Sequence, residues 1–163
     1  DNNPVISFEH MALGDMEGEV PEGEYTIPFG QAVIRREGSD VTVVALAKMV
    51  HESLAVAEEL AGEGISMEVI DPRTLNPLDK ETIKASVAKT GRLVVVDEAC
   101  ITCGATAEFM SFVVEDERIF KLLKSSPRRV GGLDVPIPYS PPMEKYALPG
   151  REQIKAAVKK ALT

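Results

Sequence analysis

Cysteine is scarce, with two residues in 163, too few for a disulfide framework. The segment Asp1-Asn2-Asn3-Pro4 also lacks the basic and then apolar pattern of a secretory leader, so a reducing, cytoplasmic setting is expected. Positive charge is short as well. Eighteen Lys and Arg stand against 26 Asp and Glu, a formal charge of −8, which disfavours a grip on phosphate backbones or anionic lipid. Nucleic acid and membrane surfaces are therefore not expected partners. Long hydrophobic runs are missing too: stretches such as Val41–Ala47, interrupted by Thr42, fall far short of the roughly 20 residues that span a bilayer. Phosphate loops are also absent. Neither Gly131-Gly132 nor the Gly62/Gly64 pair is followed by Lys-Ser/Thr, and no Gly-x-Gly-x-x-Gly joins a strand to a helix.

What remains is ordinary globular composition, 44% hydrophobic and 27% charged, in about one domain's length. The first thirty residues differ from the rest. One short apolar run, Val5-Ile6-Ser7-Phe8, is followed by Gly14, Gly18, Pro21, Gly23, Pro28 and Gly30 among glutamates, which reads as loop or linker. So long a structureless lead-in is uncommon within a compact domain, and residues 1–30 are expected to be the tail of a preceding domain plus a connection. From Gln31 onward, strand and helix patterns alternate. Val33–Ile34, Val41–Leu46, Ile65–Ile70, Leu93–Val96 and Arg129–Val130 read as strands, several too continuously apolar to be half exposed. Helices are expected from Met49 to Ala61, from an Asp79 N-cap to Gly91, over Ala105–Val114 and over Glu152–Leu162. Val135–Pro149 reads as an irregular proline-rich loop. The alternation predicts an α/β fold of three layers, α/β/α, around a mostly parallel sheet of about five strands, with residues 31–163 as the domain.

Cys100-Ile101-Thr102-Cys103 lies between a predicted strand and a helix, where a thioredoxin-type redox pair would sit. The same spacing could offer half a zinc site, but His10 and His51 are the only histidines and no second Cys-x-x-Cys exists. The alternative is two small thiols at a strand end. Both histidines read as solvated or hydrogen-bonded. Glu58-Glu59, Asp97-Glu98 and Glu115-Asp116-Glu117 are acidic groups of the kind that usually form solvated faces. Asp97-Glu98 stands out because it follows a central strand, at the edge where open α/β sheets place ligands.

Three stretches together resemble one family: Asp71-Pro72-Arg73-Thr74-Leu75-Asn76-Pro77-Leu78-Asp79; Arg92-Leu93-Val94-Val95-Val96-Asp97-Glu98; and Asp134-Val135-Pro136-Ile137-Pro138-Tyr139 with Leu148-Pro149. The chain is similar to the C-terminal, transketolase-type domain of the beta subunit of thiamine-diphosphate-dependent 2-oxo acid dehydrogenases, a family that includes the pyruvate, branched-chain and acetoin enzymes. Within that resemblance, Pro4–His10 looks like the last strand of a pyrimidine-binding domain and Glu19–Gly30 like the connection. The resemblance implies an oxidoreductase active only as a holoenzyme, with thiamine diphosphate and Mg²⁺ held by other segments and no cofactor on this chain. It also implies beta–beta and alpha–beta association and docking of the dihydrolipoyl acyltransferase through its subunit-binding domain. Two departures stand out. Lys124 occupies a place where many relatives carry an acidic residue that pairs with the acyltransferase, and the Cys-x-x-Cys is not a family feature.

No catalytic, cofactor-binding or metal residue is expected here. The expected interface residues are Asp71, Arg73, Leu75, Leu78, Glu98, Ile137, Tyr139 and Tyr146, and the candidate redox pair is Cys100 and Cys103. Pro72 and Pro77 stiffen their loop, so less entropy is lost on docking, and Arg73 can offer a bidentate fork to a carboxylate. An internal Asp71–Arg73 or Asp97–Arg73 pair is the competing reading. Other readings of the whole chain are a free-standing interaction module and a small thiol oxidoreductase.

Overall fold

β2 (Val41–Ala45) is buried at every position and β4 (Leu93–Cys100) over its first four. Successive strand side chains point to opposite faces, so burial of both faces demands a helical layer on each side. The computed structural model, which describes residues 2–163, has those layers. With β1 (Val33–Arg36), β3 (Met67–Asp71) and β5 (Arg128–Gly132), the strands form one sheet in the order β1-β3-β2-β4-β5. β2 pairs in parallel with β3 and β4, and β4 pairs in parallel with β5. Only the edge strand β1 is antiparallel, against β3. The expected three-layer, mostly parallel α/β architecture is borne out.

The period-two pattern divides the core. Val41, Val43 and Ala45, with Val69 and Val94, meet α1 (Lys48–Ala61) and α6 (Arg151–Leu162) through Val56, Leu60, Ile154 and Val158. The alternate side chains Val44, Ile70, Leu93 and Val95 face α2 (Lys80–Thr90) and α3 (Ala105–Glu115) through Ile83, Val87, Phe109 and Phe112. Each fully buried side chain of this size contributes about 1.5–3 kcal/mol relative to exposure, so the two-sided strands decide the fold. Three buried hydroxyls on the α2 side satisfy one another. Thr42 Oγ1 lies 2.6 Å from Ser86 Oγ and 2.8 Å from Thr90 Oγ1.

Helix ends follow local chemistry. Asp79 caps α2 by accepting from the Thr82 amide at 3.1 Å, and its other oxygen accepts from the Ala32 amide at 2.9 Å, tying the start of β1 to the helix. Gly91, in the left-handed region at φ 74, ends α2. Asp116 separates α3 from a short helix, α4 (Glu117–Phe120), and accepts from the Arg118 amide at 3.1 Å. Lys84, 3.1 Å away, and Arg118 hold the Asp116 carboxyl well below the usual carboxylate range.

Two expectations are corrected. The stretch read as an irregular loop over Val135–Pro149 contains α5 (Pro141–Ala147), because prolines in the first turn lose no helical hydrogen bond and arrive with φ preset. Val5–Phe8 forms no strand, since a strand exists only beside another and this segment has no neighbouring strand among the described residues; Val5, Ile6 and Phe8 are exposed.

Candidate functional site

From β2 the chain winds through α1 to β3 on one side, and from β4 through α3 and α4 to β5 on the other. The carboxyl ends of β2 and β4 therefore flank the point where the winding reverses, the usual ligand position in open α/β sheets. β4 runs on to Cys100 rather than stopping at Val96 as expected, and this carries Glu98 to that edge. The extension needs glycine on its neighbour, because a Cβ on Gly132 would lie 2.6 Å from the Glu98 carbonyl oxygen.

Glu98 Oε2 lies 2.5 Å from His10 Nε2, and Oε1 lies 3.8 Å from Lys48 Nζ. The Ala12 amide donates to His10 Nδ1 at 3.2 Å, which places the ring proton on Nε2, the nitrogen that donates to Glu98. His10 was expected to be solvated or hydrogen-bonded, and it is hydrogen-bonded. Beside the cluster, Ala47 at the end of β2 adopts φ 47 and ψ −125, a conformation disfavoured for a residue with a Cβ. A cleft of about 710 Å³ opens next to Lys48, between α1, α5 and the start of α6. Lys48, Lys145 and Arg151 line it together with Glu52, Glu144 and Glu152, so it selects neither sign of charge. Arg151 is engaged by Glu52 at 2.6 Å, the first of a row of ion pairs from α6 that continues with Lys155–Glu59 on α1 and Lys159–Glu63 just beyond its end, each also at 2.6 Å.

The expected interface residues fall into four groups. Leu75, Ile137, Tyr139 and Tyr146 are exposed, Tyr139 fully, and they are joined between Leu133 and Tyr146 by exposed Leu133, Val135 and Met143. Asp71 and Arg73 do not form an ion pair. Asp71 Oδ2 faces Arg35 at 3.5 Å, while Oδ1 accepts only the Arg73 amide, at 3.0 Å. The Arg73 side chain is exposed, on a backbone at φ 59, with no ion pair to Asp71 or Asp97 among the described residues. Leu78 instead packs, half buried, against the α2/α3 core cluster, because it leads directly into the capped start of α2. Glu98 is the fourth case, held by His10 and Lys48 at the sheet edge.

Cys100 and Cys103 are both free thiols, the first half-buried at the end of β4 and the second exposed. Lys124 Nζ donates to the Thr90 carbonyl at 3.1 Å, completing the end of α2. Among the described residues no group of three His, Cys, Asp or Glu side chains is placed to hold a metal ion, and no helix is long and apolar enough to cross a membrane. Sequence reasoning missed Lys48, Ala47 and α5. Only α5 had a local signal, in Ser140-Pro141-Pro142.

The fold and this edge define a class: an open, mostly parallel α/β domain whose ligand position at the sheet edge is filled by its own His10 and whose exposed apolar side chains gather in the lead-in and in the proline-rich segment after β5. Residues 30–154 match the family model for the transketolase C-terminal domain, and the chain belongs to that family. The subunit beta of acetoin:2,6-dichlorophenolindophenol oxidoreductase from Cupriavidus necator is 46% identical over 99% of this chain and 47% of its own length. The pyruvate dehydrogenase E1 component subunit beta of Bacillus subtilis is 42% identical over 99% of this chain and 49% of its own. Among solved structures, a split-gene transketolase described as an inactive beta4 tetramer aligns with a TM-score of 0.69 at 31% identity, over 89% of this chain and 46% of that one. The expected likeness to acetoin and pyruvate dehydrogenase beta subunits is borne out, and the chain spans about half the length of the curated relatives it matches.

Proposed function

We propose that this chain is the C-terminal assembly domain of the beta subunit of a thiamine-diphosphate-dependent oxidoreductase acting on a 2-oxo acid or acetoin. Its relatives carry both substrate names, and the proposal covers that class. In this reading residues 1–30 are the tail of a pyrimidine-binding domain and its connection, in the cytoplasmic setting expected from the low cysteine count. Thiamine diphosphate and Mg²⁺ are held by other segments of the holoenzyme, a reading supported by the lack, among the described residues, of three His, Cys, Asp or Glu side chains placed to hold a metal ion. The domain joins beta to beta and alpha to beta, and presents a face to the acyltransferase subunit-binding domain. Lys124, spent on the end of α2, does not supply the acidic partner for that contact.

The observation that carries the reading is the exposed apolar segment from Leu133 to Tyr146, with Tyr139 fully exposed and Tyr146 80% exposed. Groups of that kind on stiff loops mark a partner surface. Repulsion from the net charge of −8 is screened beyond about 8–10 Å at physiological salt, so apolar burial prevails at contact. Sedimentation of the chain at rising concentration should show self-association that Tyr139→Ser abolishes and Arg73→Ala weakens. A wild type that stays monomeric into the high micromolar range, with both variants indistinguishable from it, refutes the assignment.

A further inference from the structure

The Cys-x-x-Cys is the one motif to which the assembly reading gives no work. Cys100 closes β4, and its thiol donates to the Leu133 carbonyl at 3.2 Å, just where the chain leaves β5 for the exposed apolar segment. Cys103 is exposed in the turn before α3, with its backbone in the left-handed region at φ 56. The turn is tight. The Gly104 amide donates to the Ile101 carbonyl at 3.4 Å, and a Cβ on Gly104 would collide with the Cys100 carbonyl oxygen. The chain thus doubles back at once after β4, bringing both cysteines into one reversal, with the outer thiol accessible and the inner one holding a neighbouring loop.

We propose that Cys100 and Cys103 are a reversible redox pair that exchanges with small-molecule disulfides to form a bridge across the β4–α3 turn, releasing the Leu133 carbonyl from Cys100. The exposed Cys103, as thiolate, attacks one sulfur of the external disulfide. That S–S bond breaks, a mixed disulfide forms and one small thiol leaves. Cys100 then attacks the Cys103 sulfur, forming the internal bond and expelling the second small thiol. Two electrons and two protons pass from the cysteines to the external disulfide, which is reduced to two thiols. The bridge consumes the Cys100 S–H, so the Leu133 carbonyl keeps only its local bond from the Val135 amide, at 2.8 Å, and the segment carrying Val135, Ile137 and Tyr139 is loosened from the end of β4. The consequence for assembly rests on the function proposed above, whereas the bridge itself does not.

The probe is glutathione disulfide added to the native chain. Both cysteines fall in one tryptic peptide, residues 93–118, so the expected product is that peptide lighter by two hydrogens, with complete loss of titratable thiols. Cys100→Ser keeps a hydroxyl donor for Leu133 but cannot resolve, and should retain glutathione on Cys103. Wild type that keeps both thiols, or that accumulates unresolved glutathione on Cys103, overturns the pair. Amide hydrogen exchange over 133–139 should rise several-fold in bridged wild type and stay unchanged in oxidant-treated Cys100→Ser. A bridged protein with unaltered exchange there overturns the release step. If the bridge and the loosening both occur in a chain that never self-associates, the redox pair stands and the assembly reading fails.

Discussion

Replacing Lys89 with methionine should cost about 2 kcal/mol at neutral pH, and the loss should shrink as pH falls. Glu68, on β3, is fully buried beneath α2, where its carboxylate pairs with Lys89 and accepts from the Gly38 amide at 3.1 Å. Burial pushes the Glu68 carboxyl up, but Lys89, Ser86 and the Gly38 amide outweigh it and leave it below its usual value. Glu68 in turn raises the Lys89 ammonium. Removing one partner of a buried pair costs roughly 3–5 kcal/mol. A cost below that range, about 2 kcal/mol, applies here because the Lys89 side chain is 44% exposed, so water already shares the pair and the penalty lies between the buried and the surface cases, and methionine keeps the packing of the stem. With the ammonium gone, burial dominates and the folded-state value of Glu68 rises. The wild-type contribution, which belongs to a lowered carboxylate, is present above the unfolded value near 4.3 and is lost as pH falls through the folded value. The variant instead gains stability as pH falls, because its folded state then binds the extra proton. Urea unfolding followed by circular dichroism at pH 7 and pH 5 measures both trends, and Glu68→Gln in the Lys89→Met background should recover most of the loss. A Lys89→Met cost under about 0.5 kcal/mol at pH 7, or one that grows on acidification, refutes the reasoning.

Two further outcomes bear on function. Thiamine diphosphate with Mg²⁺ should leave the Tm of this chain unchanged, because a ligand stabilises only what binds it; a substantial rise would show that the chain holds part of the cofactor site. Glu98→Ala should release His10 from the sheet edge, and cleavage after Glu9 by a glutamate-specific protease should quicken roughly fivefold, the factor for a bond worth about 1 kcal/mol. An unaltered rate would mean that the bond to Glu98 does not hold the lead-in segment.

Much of the fold was legible because two-sided burial writes itself into composition. Val41–Ala45 and Leu93–Val96 admit no solvent-facing residue, and their helices announce themselves at Asp79, Gly62 and Gly91. The site was less legible, because it depends on residues whose local pattern is silent. Asp97-Glu98-Ala99-Cys100 reads as the end of a strand, and only the close passage of Gly131-Gly132 lets β4 continue to Cys100. Lys48 looks like any first-turn lysine until the sheet order sets β2 beside β4. The fate of Leu78 also turned on tertiary context, since an apolar residue after a proline is equally at home in an interface or against the next helix.

The edge where winding reverses ties these points together. In open α/β sheets this crevice takes a ligand because strand ends and helix starts converge there with unsatisfied polar groups. Here Glu98 and Lys48 occupy the crevice, and the proton of His10, from the lead-in segment, points at Glu98. A ligand at that carboxylate would first have to displace a short hydrogen bond made by the protein itself. The domain thus uses the position as a joint between its lead-in and its sheet, and exposed apolar side chains lie both along the lead-in and in the segment that follows β5. In the function proposed above, a ligand position closed from within and exposed apolar side chains outside suit a domain that holds subunits together while the cofactor is bound elsewhere.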